Sequence, residues 1–296
     1  MDKALDREEL KFTIIMVVAM VTWGYSWTSA KILGPYGEVA VKIFLRFFLA
    51  AIALIPILIK YKVPFIVNKR GVQFILVNAL ALCSYNYFYF RSTHMGLAGA
   101  GGVLVTTLNP ILTSTVVFCF IDRSVSLKDL LGLAIGFIGG GIIIRFWEMD
   151  FDLMIQSGNI FYILASFSWV AVTITSQKSK EDVHFLTYSF WSFIIAAFLS
   201  FLSSDWSSIA YTINYDWIFW INILVLSIVV MSFANTIYFF ASSKIGAVKA
   251  SSFIFVVPLT AIVFSKIFLN EQIRLTTLIG GCLSIIAVYT INRKSK

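Results

Sequence analysis

Long apolar runs separated by short polar stretches set the pattern of this chain from end to end. Ten of these runs suit a helix that crosses a hydrocarbon core, which needs roughly 20 mostly apolar residues. They cover 12–32, 38–60, 71–90, 97–121, 126–146, 157–177, 184–204, 217–240, 246–269 and 273–292. The connectors are short, so no soluble catalytic domain lies between them. The first run follows Lys3, Arg7 and Lys11, as the core of a signal peptide would. Its length, and the lack of a small-residue cleavage site, make it a helix. The pattern predicts an all-α polytopic membrane protein with ten transmembrane helices.

The apolar pattern also repeats. "NPILTSTVVFCFIDRSVSLKDLLGL" starts at Asn109, and "VPLTAIVFSKIFLNEQIRLTTLIGG" follows 148 positions later. Pro110 matches Pro258, Phe120 matches Phe268, Leu127 matches Leu275, Leu130 matches Leu278 and Gly132 matches Gly280, with Asp122 facing Asn270 at a turn. "SYNYFYF" (84–90) pairs Asn86, Tyr89 and Phe90 with Asn235, Tyr238 and Phe239 of "ANTIYFF". "WGYSWTSAK" (23–31) pairs Trp23 with Trp169 of "WVAVTITSQK". The division predicts two five-helix repeats, residues 1–148 and 149–296. Five crossings per half would set the second copy upside down, the inverted-repeat design of secondary transporters.

Composition strengthens the membrane reading. The chain is 59% hydrophobic and 13% charged, against about 25% charged in soluble domains. Aromatics, at 16%, can furnish interfacial belts. The net charge of +8 lies in short clusters between apolar runs, with no basic face for nucleic acid. With the N-terminus inside, 16 Lys and Arg residues fall on the inner side. Only Lys31, Arg91, Arg145 and Arg274 fall outside, while Lys42, Arg46 and Lys266 lie within helices. This bias predicts both termini in the cytoplasm. Cys83, Cys119 and Cys282 each lie inside an apolar run, at no metal or haem spacing, so neither metal nor cofactor is expected.

"WGYSWTSAK", "FLRFFLAA" (44–51) and the paired proline-bearing helices, each leading through a turn into a glycine-containing helix, resemble the EamA-type permeases of the drug/metabolite transporter superfamily. The resemblance spans essentially the whole chain as two copies. It implies ten helices around a central cavity and transport of small metabolites, often outward. Family members usually carry a glutamate in the turn; Glu271 supplies it in the second copy, and Arg123 stands there in the first. A bacterial inner membrane is the implied location.

Candidate chemistry concentrates in a few positions. Glu38, Lys42 and Arg46 share one face of the second helix. A lone cation at mid-membrane is costly and must face protein or water. Arg46 could attract a carboxylate or join a salt-bridged stripe; Lys42, nearer the surface, reads as a snorkelling residue. Asn86 and Asn235, with Tyr85, Tyr89 and Tyr238 beside them, could line a cavity for a polar solute or bond between helices. Trp23 and Trp169 could wall that cavity. Pro110 and Pro258 each remove an intrahelical hydrogen bond and are candidate hinges. Gly132, Gly136 and Gly140 form a close-approach stripe, for packing within the chain or against a second copy, and "GLAGAGG" (96–102) is another such face. No Asp or Glu lies deep in any predicted helix, and His94 and His184 sit at helix ends, so a proton relay is not written in the sequence. The expected function is secondary transport of a small polar or amphipathic solute, amino-acid-like or related, most readily export. Facilitative exchange, uptake or a non-transporting scaffold are the alternatives. An intramembrane enzyme would need a base beside a nucleophile, or metal ligands, at depth.

Overall fold

The computed structural model describes residues 2–120, 127–148, 152 and 156–292, and among these there is no strand. The first half holds α1 (Asp2–Ile32), α2 (Val39–Lys60), α3 (Lys69–Met95), α4 (Ala98–Phe120) and α5 (Leu127–Ile144). The second holds α6 (Asn159–Lys178), α7 (Phe185–Leu202), α8 (Trp217–Ile245), α9 (Ala247–Leu269) and α10 (Leu275–Asn292). Eight of these helices are long and apolar enough to span a membrane. In α5 and α10 the apolar stretches are shorter, Ala134–Ile143 and Leu275–Ala287. The connector before α8 is not extended throughout, since Trp206–Tyr211 forms a short helix.

Local chemistry sets the helix ends. Asn68 caps α3 by accepting from the Gly71 N–H at 2.7 Å. Asp216 caps α8 by accepting from Phe219 N–H at 3.0 Å, and also from the Tyr36 hydroxyl at 2.8 Å. The Phe219 N–H, then Tyr36, hold the Asp216 carboxyl below its ordinary range. Asn270 takes a left-handed φ of 52° at the turn into α10, a conformation asparagine tolerates better than most residues. Asp122 and Arg123, in the matching turn of the first half, lie outside the described residues.

Packing relates the two halves. The pairing of α3 with α6 has its counterpart in α1 with α8, that of α4 with α6 in α1 with α9, and that of α3 with α7 in α2 with α8. Extensive contacts join matching helices to each other in α2 with α7, α4 with α9, and α5 with α10. Two matched pairs of side chains meet across this interface: Trp23 and Trp169, centroids 5.0 Å apart, and Phe47 and Phe193, 5.9 Å apart.

Polar groups are buried among an apolar core, and large apolar side chains also cover the outside, unlike the polar surface of a soluble bundle. Phe198, Leu80, Ile138, Leu259 and Phe268 are exposed, where lipid costs them nothing. Asn78, Asn86, Asn109, Asn222 and Ser227 are buried. Ser29 donates to the Asn222 side chain at 2.7 Å, and Asn78 donates to Ser192 at 2.9 Å, both across the halves. Without water at this depth such bonds are the groups' remaining source of partners.

The glycines mark close approach. A methyl on Gly136 would collide with Ile111 of α4 and crowd Ala287 of α10, and one on Gly140 would crowd Leu108. Two members of the 132–140 stripe therefore lie at packing contacts within the chain; Gly132 is buried. Along α4, Gly99 faces Ser265, Gly101 faces Tyr162, and Gly102 faces Ala261 and Trp27.

Regularity is not shared equally. In α8 the segment Val225–Asn235 is a π-helix, and α9 is interrupted by a 3-10 turn at Phe253–Phe255, just before Pro258. Their counterparts α3 and α4 are α-helical throughout, with Pro110 inside α4.

Candidate functional site

A small cavity lies where the halves meet. From the first half it takes Trp23, Ser26 and Trp27 of α1, Arg46 of α2, Tyr85 of α3, and Thr106 and Asn109 of α4. From the second it takes Trp169 of α6 with Val230 and Asn235 of α8. Its volume is about 20 Å³, enough for about one water molecule. Anything larger needs the lining to open.

Aromatic rings form its wall. Trp169 lies 4.7 Å from Tyr85 and 5.6 Å from Tyr238, centroid to centroid, and Trp23 is 5.1 Å from Tyr238. Trp27 packs on Tyr89 at 4.7 Å. Tyr89 donates its hydroxyl hydrogen to the Ser26 carbonyl, and Tyr238 shares a hydrogen bond of 2.9 Å with Thr173. Five of the expected site residues thus line the cavity: Trp23, Arg46, Tyr85, Trp169 and Asn235. Asn86, Tyr89 and Tyr238 stand behind it and orient those that do.

The two asparagines are not equivalent. Asn86 accepts from Arg46 Nη1 at 2.8 Å and donates to the Leu82 carbonyl at 2.8 Å. Asn235 lines the cavity itself and donates only to the Met231 sulfur, at 3.1 Å, a weak acceptor. Arg46 is 3% exposed. Its guanidinium lies 5.2 Å from the Tyr89 ring centre and 5.9 Å from that of Phe90, contacts that offset part of the cost of burying charge.

Lys42 does not snorkel as its position suggested. It is 1% exposed, and its amine donates to the Leu33 carbonyl at 3.0 Å and lies 3.3 Å from His94 Nε2. The turn after α1 brings the Leu33 carbonyl within reach of α2, so the amine finds a closer partner than the surface offers. Lys31 is held similarly, donating to the Gly96 carbonyl at 2.8 Å. Glu38 accepts from Ser208 and completes no stripe of ion pairs with these cations.

Sequence reasoning singled out none of Ser26, Trp27, Thr106 and Asn109 as a site residue. One signal was available. Proline at 110 has no N–H for the carbonyl four residues back, which leaves Thr106 without its intrahelical donor just where the cavity forms. Pro258 is not among the cavity's lining residues and stands three residues after the 3-10 turn of α9.

Toward one end of the bundle, a second cavity of about 260 Å³ is lined by Lys31, Arg145, Arg274 and Tyr162 among others. Tyr162 donates to the Leu97 carbonyl at 2.9 Å and lies 6.0 Å from Trp27, between the two cavities. Beside it Glu271 bridges the halves. Its carboxylate accepts from the N–H groups of Ala98 and Gly99, at 2.8 and 2.9 Å, at the start of α4, a favourable place for negative charge. At the start of α9, within the second half, Gln177 accepts from the Ala247 N–H at 3.2 Å. Among the described residues no cluster of His, Cys, Asp and Glu could hold a metal.

A two-fold helical bundle with a buried polar and aromatic cavity on its pseudo-axis has the architecture of a membrane transporter. The EamA-like transporter family model matches the chain twice, over residues 10–145 and 156–293, and the chain belongs to that family. Similar proteins include two uncharacterized transporters of Bacillus subtilis. YoaV is 22% identical over 95% of this chain and 96% of its own, and YvbV is 24% identical over 96% and 92%. An uncharacterized transporter of Archaeoglobus fulgidus is 22% identical over 96% of this chain and 98% of its own. A crystal structure of a protein 14% identical matches with a TM-score of 0.68, covering 95% of this chain and 96% of that one, which supports the fold alone.

Proposed function

We propose that this membrane transporter is a secondary carrier that exports a small polar or amphipathic solute by alternating access. The ten helices form two inverted repeats, and both termini lie in the cytoplasm of a bacterium whose inner membrane holds the chain. The observation that carries this reading is the central cavity, built by both repeats around the matched pair Trp23 and Trp169. A site on the pseudo-axis becomes accessible from either side as the halves rock, and its small volume fits a closed stage of that cycle. No Asp or Glu lines the cavity, which favours facilitated flux or exchange over coupling through a carboxylate.

Counterflow in proteoliposomes, with a pooled metabolite extract read by mass spectrometry, tests the proposal. Saturable exchange of one solute class, retained without a pH gradient, is expected. The absence of any exchange in a folded preparation would refute it.

A further inference from the structure

The central cavity contains hydrogen-bond donors and a cation whose needs the protein does not meet. Arg46 Nε is buried with no acceptor, and so are the indole N–H groups of Trp23 and Trp169. The Trp169 indole lies beside the Tyr238 hydroxyl without reaching hydrogen-bond geometry. The three residues are 3%, 7% and 2% exposed, and all three line the one cavity. Buried donors without acceptors are rare in native proteins, because each costs about 1–3 kcal/mol.

The charge is equally unmatched. The two ion pairs among the described residues are Arg70 with Asp182 and Arg145 with Glu148; neither involves Arg46. Lys31 and Lys42 differ in this respect, since backbone carbonyls past the ends of α3 and α1 receive their amines. Arg46 meets the neutral Asn86 carbonyl, two ring faces and the Tyr89 hydroxyl beside it, none of them an anion. A buried cation left unpaired is strongly unfavourable.

We infer that Arg46, Trp23 and Trp169 form an anion seat, and that the transported solute carries a carboxylate-class group on a flat apolar body. This inference rests on the transporter reading and names its substrate class. An anion supplies the missing charge together with acceptors for the guanidinium and indole N–H groups. The apolar body lies against the rings of Trp27, Tyr85 and Trp169. An ammonium group would meet Arg46 with no acidic side chain in the lining to balance it, so organic cations are excluded.

The test uses the purified full-length chain in nanodiscs. Equilibrium binding of benzoate and phenylacetate is compared with that of benzamide, phenylacetamide and benzylammonium. Carboxylates should bind about tenfold or more tightly than their amides, with no binding of the cation. Arg46→Gln should abolish that preference and Arg46→Lys should retain part of it. Asn86→Asp, nearly the same shape, places a carboxylate against Arg46 and should abolish the preference by occupying its charge from within. Equal binding of acid, amide and amine would overturn the inference, as would a preference that survives both Arg46→Gln and Asn86→Asp, or a wild-type protein that binds neither carboxylate. Counterflow separates this from the parent reading. Arg46-dependent benzoate binding without exchange would sink the transporter and keep the seat. Saturable exchange of amines or amides, unchanged by Arg46→Gln, would keep the transporter and sink the seat.

Discussion

Position by position, the two repeats put different residues on one scaffold. Phe44, Phe47, Ala50 and Ala51 of α2 align with Phe190, Phe193, Ala196 and Ala197 of α7, yet Ser192 stands where the first half has Arg46. Ser192 accepts a bond from Asn78 and is satisfied; Arg46 faces the cavity and is not. The backbone shows the opposite imbalance. The first half keeps α3 and α4 regular, whereas α8 runs through a π segment and α9 through a 3-10 turn. Such departures from the α ladder mark functional sites and bends more often than chance. One repeat therefore carries the charge of the site and the other the irregular backbone. The contacts match between the halves, whereas the residues lining the cavity do not.

The largest effect should come from the charged side of this comparison. Arg46→Gln is expected to reduce counterflow about 100-fold, while Ser192→Ala leaves it near wild type. Equal losses would show that the halves share the chemistry after all. Next come the contacts at the starts of α4 and α9, of which the Glu271 contact bridges the halves and the Gln177 contact lies within the second. Removing the carboxylate in Glu271→Ala frees the start of α4, so labelling of a cysteine placed at Ala100, in the wider cavity, should rise severalfold. Gln177→Ala, at the opposite contact, should leave that labelling unchanged.

A smaller effect is expected in the π segment. Ser232 donates to the Ala50 carbonyl of α2 at 2.7 Å, tying the irregular stretch to the first half. Ser232→Ala should cost about 1 kcal/mol and lower Tm by roughly 2–4 °C. No shift in a thermal-melt assay would mean that the π segment holds its shape without this tie.

The smallest concerns His184, which caps α7 outside the spans by accepting from the Leu186 N–H at 3.3 Å. Burial holds its imidazole below the ordinary value. Its stabilising contribution is therefore complete above the unfolded pKa of about 6.5 and falls away as pH drops below it. Melting between about pH 7 and 5 should show a slightly steeper loss for wild type than for His184→Asn.

Much of this was legible in the chain. Apolar runs locate the helices, because only long apolar segments suit lipid. The repeat pairs Trp23 with Trp169, and those rings do meet. Arg46 stands out because a mid-helix cation needs a reason. Other features depend on three-dimensional contacts that carry no local signature. Asn109 reads as an ordinary helix residue until α4 is set against α1 and α6. Tyr162 enters the interface only because Gly101 has no side chain to oppose it. Lys42 read as shallow because its spacing from Glu38 says nothing of the Leu33 carbonyl that the turn after α1 sets against it. The π segment of α8 leaves no trace in an apolar run that would serve an α-helix equally well.

The claim that the halves must part for solute to pass is most directly tested by fastening them at one end. A Cβ built on Gly99 of α4 would lie 3.3 Å from Ser265 Cβ of α9, close to the separation a disulfide requires. With Cys83, Cys119 and Cys282 replaced, Gly99→Cys with Ser265→Cys should form a disulfide under oxidation. Counterflow should then stop and return on reduction, with each single variant unaffected by either treatment. Undiminished exchange in fully cross-linked protein would contradict the account.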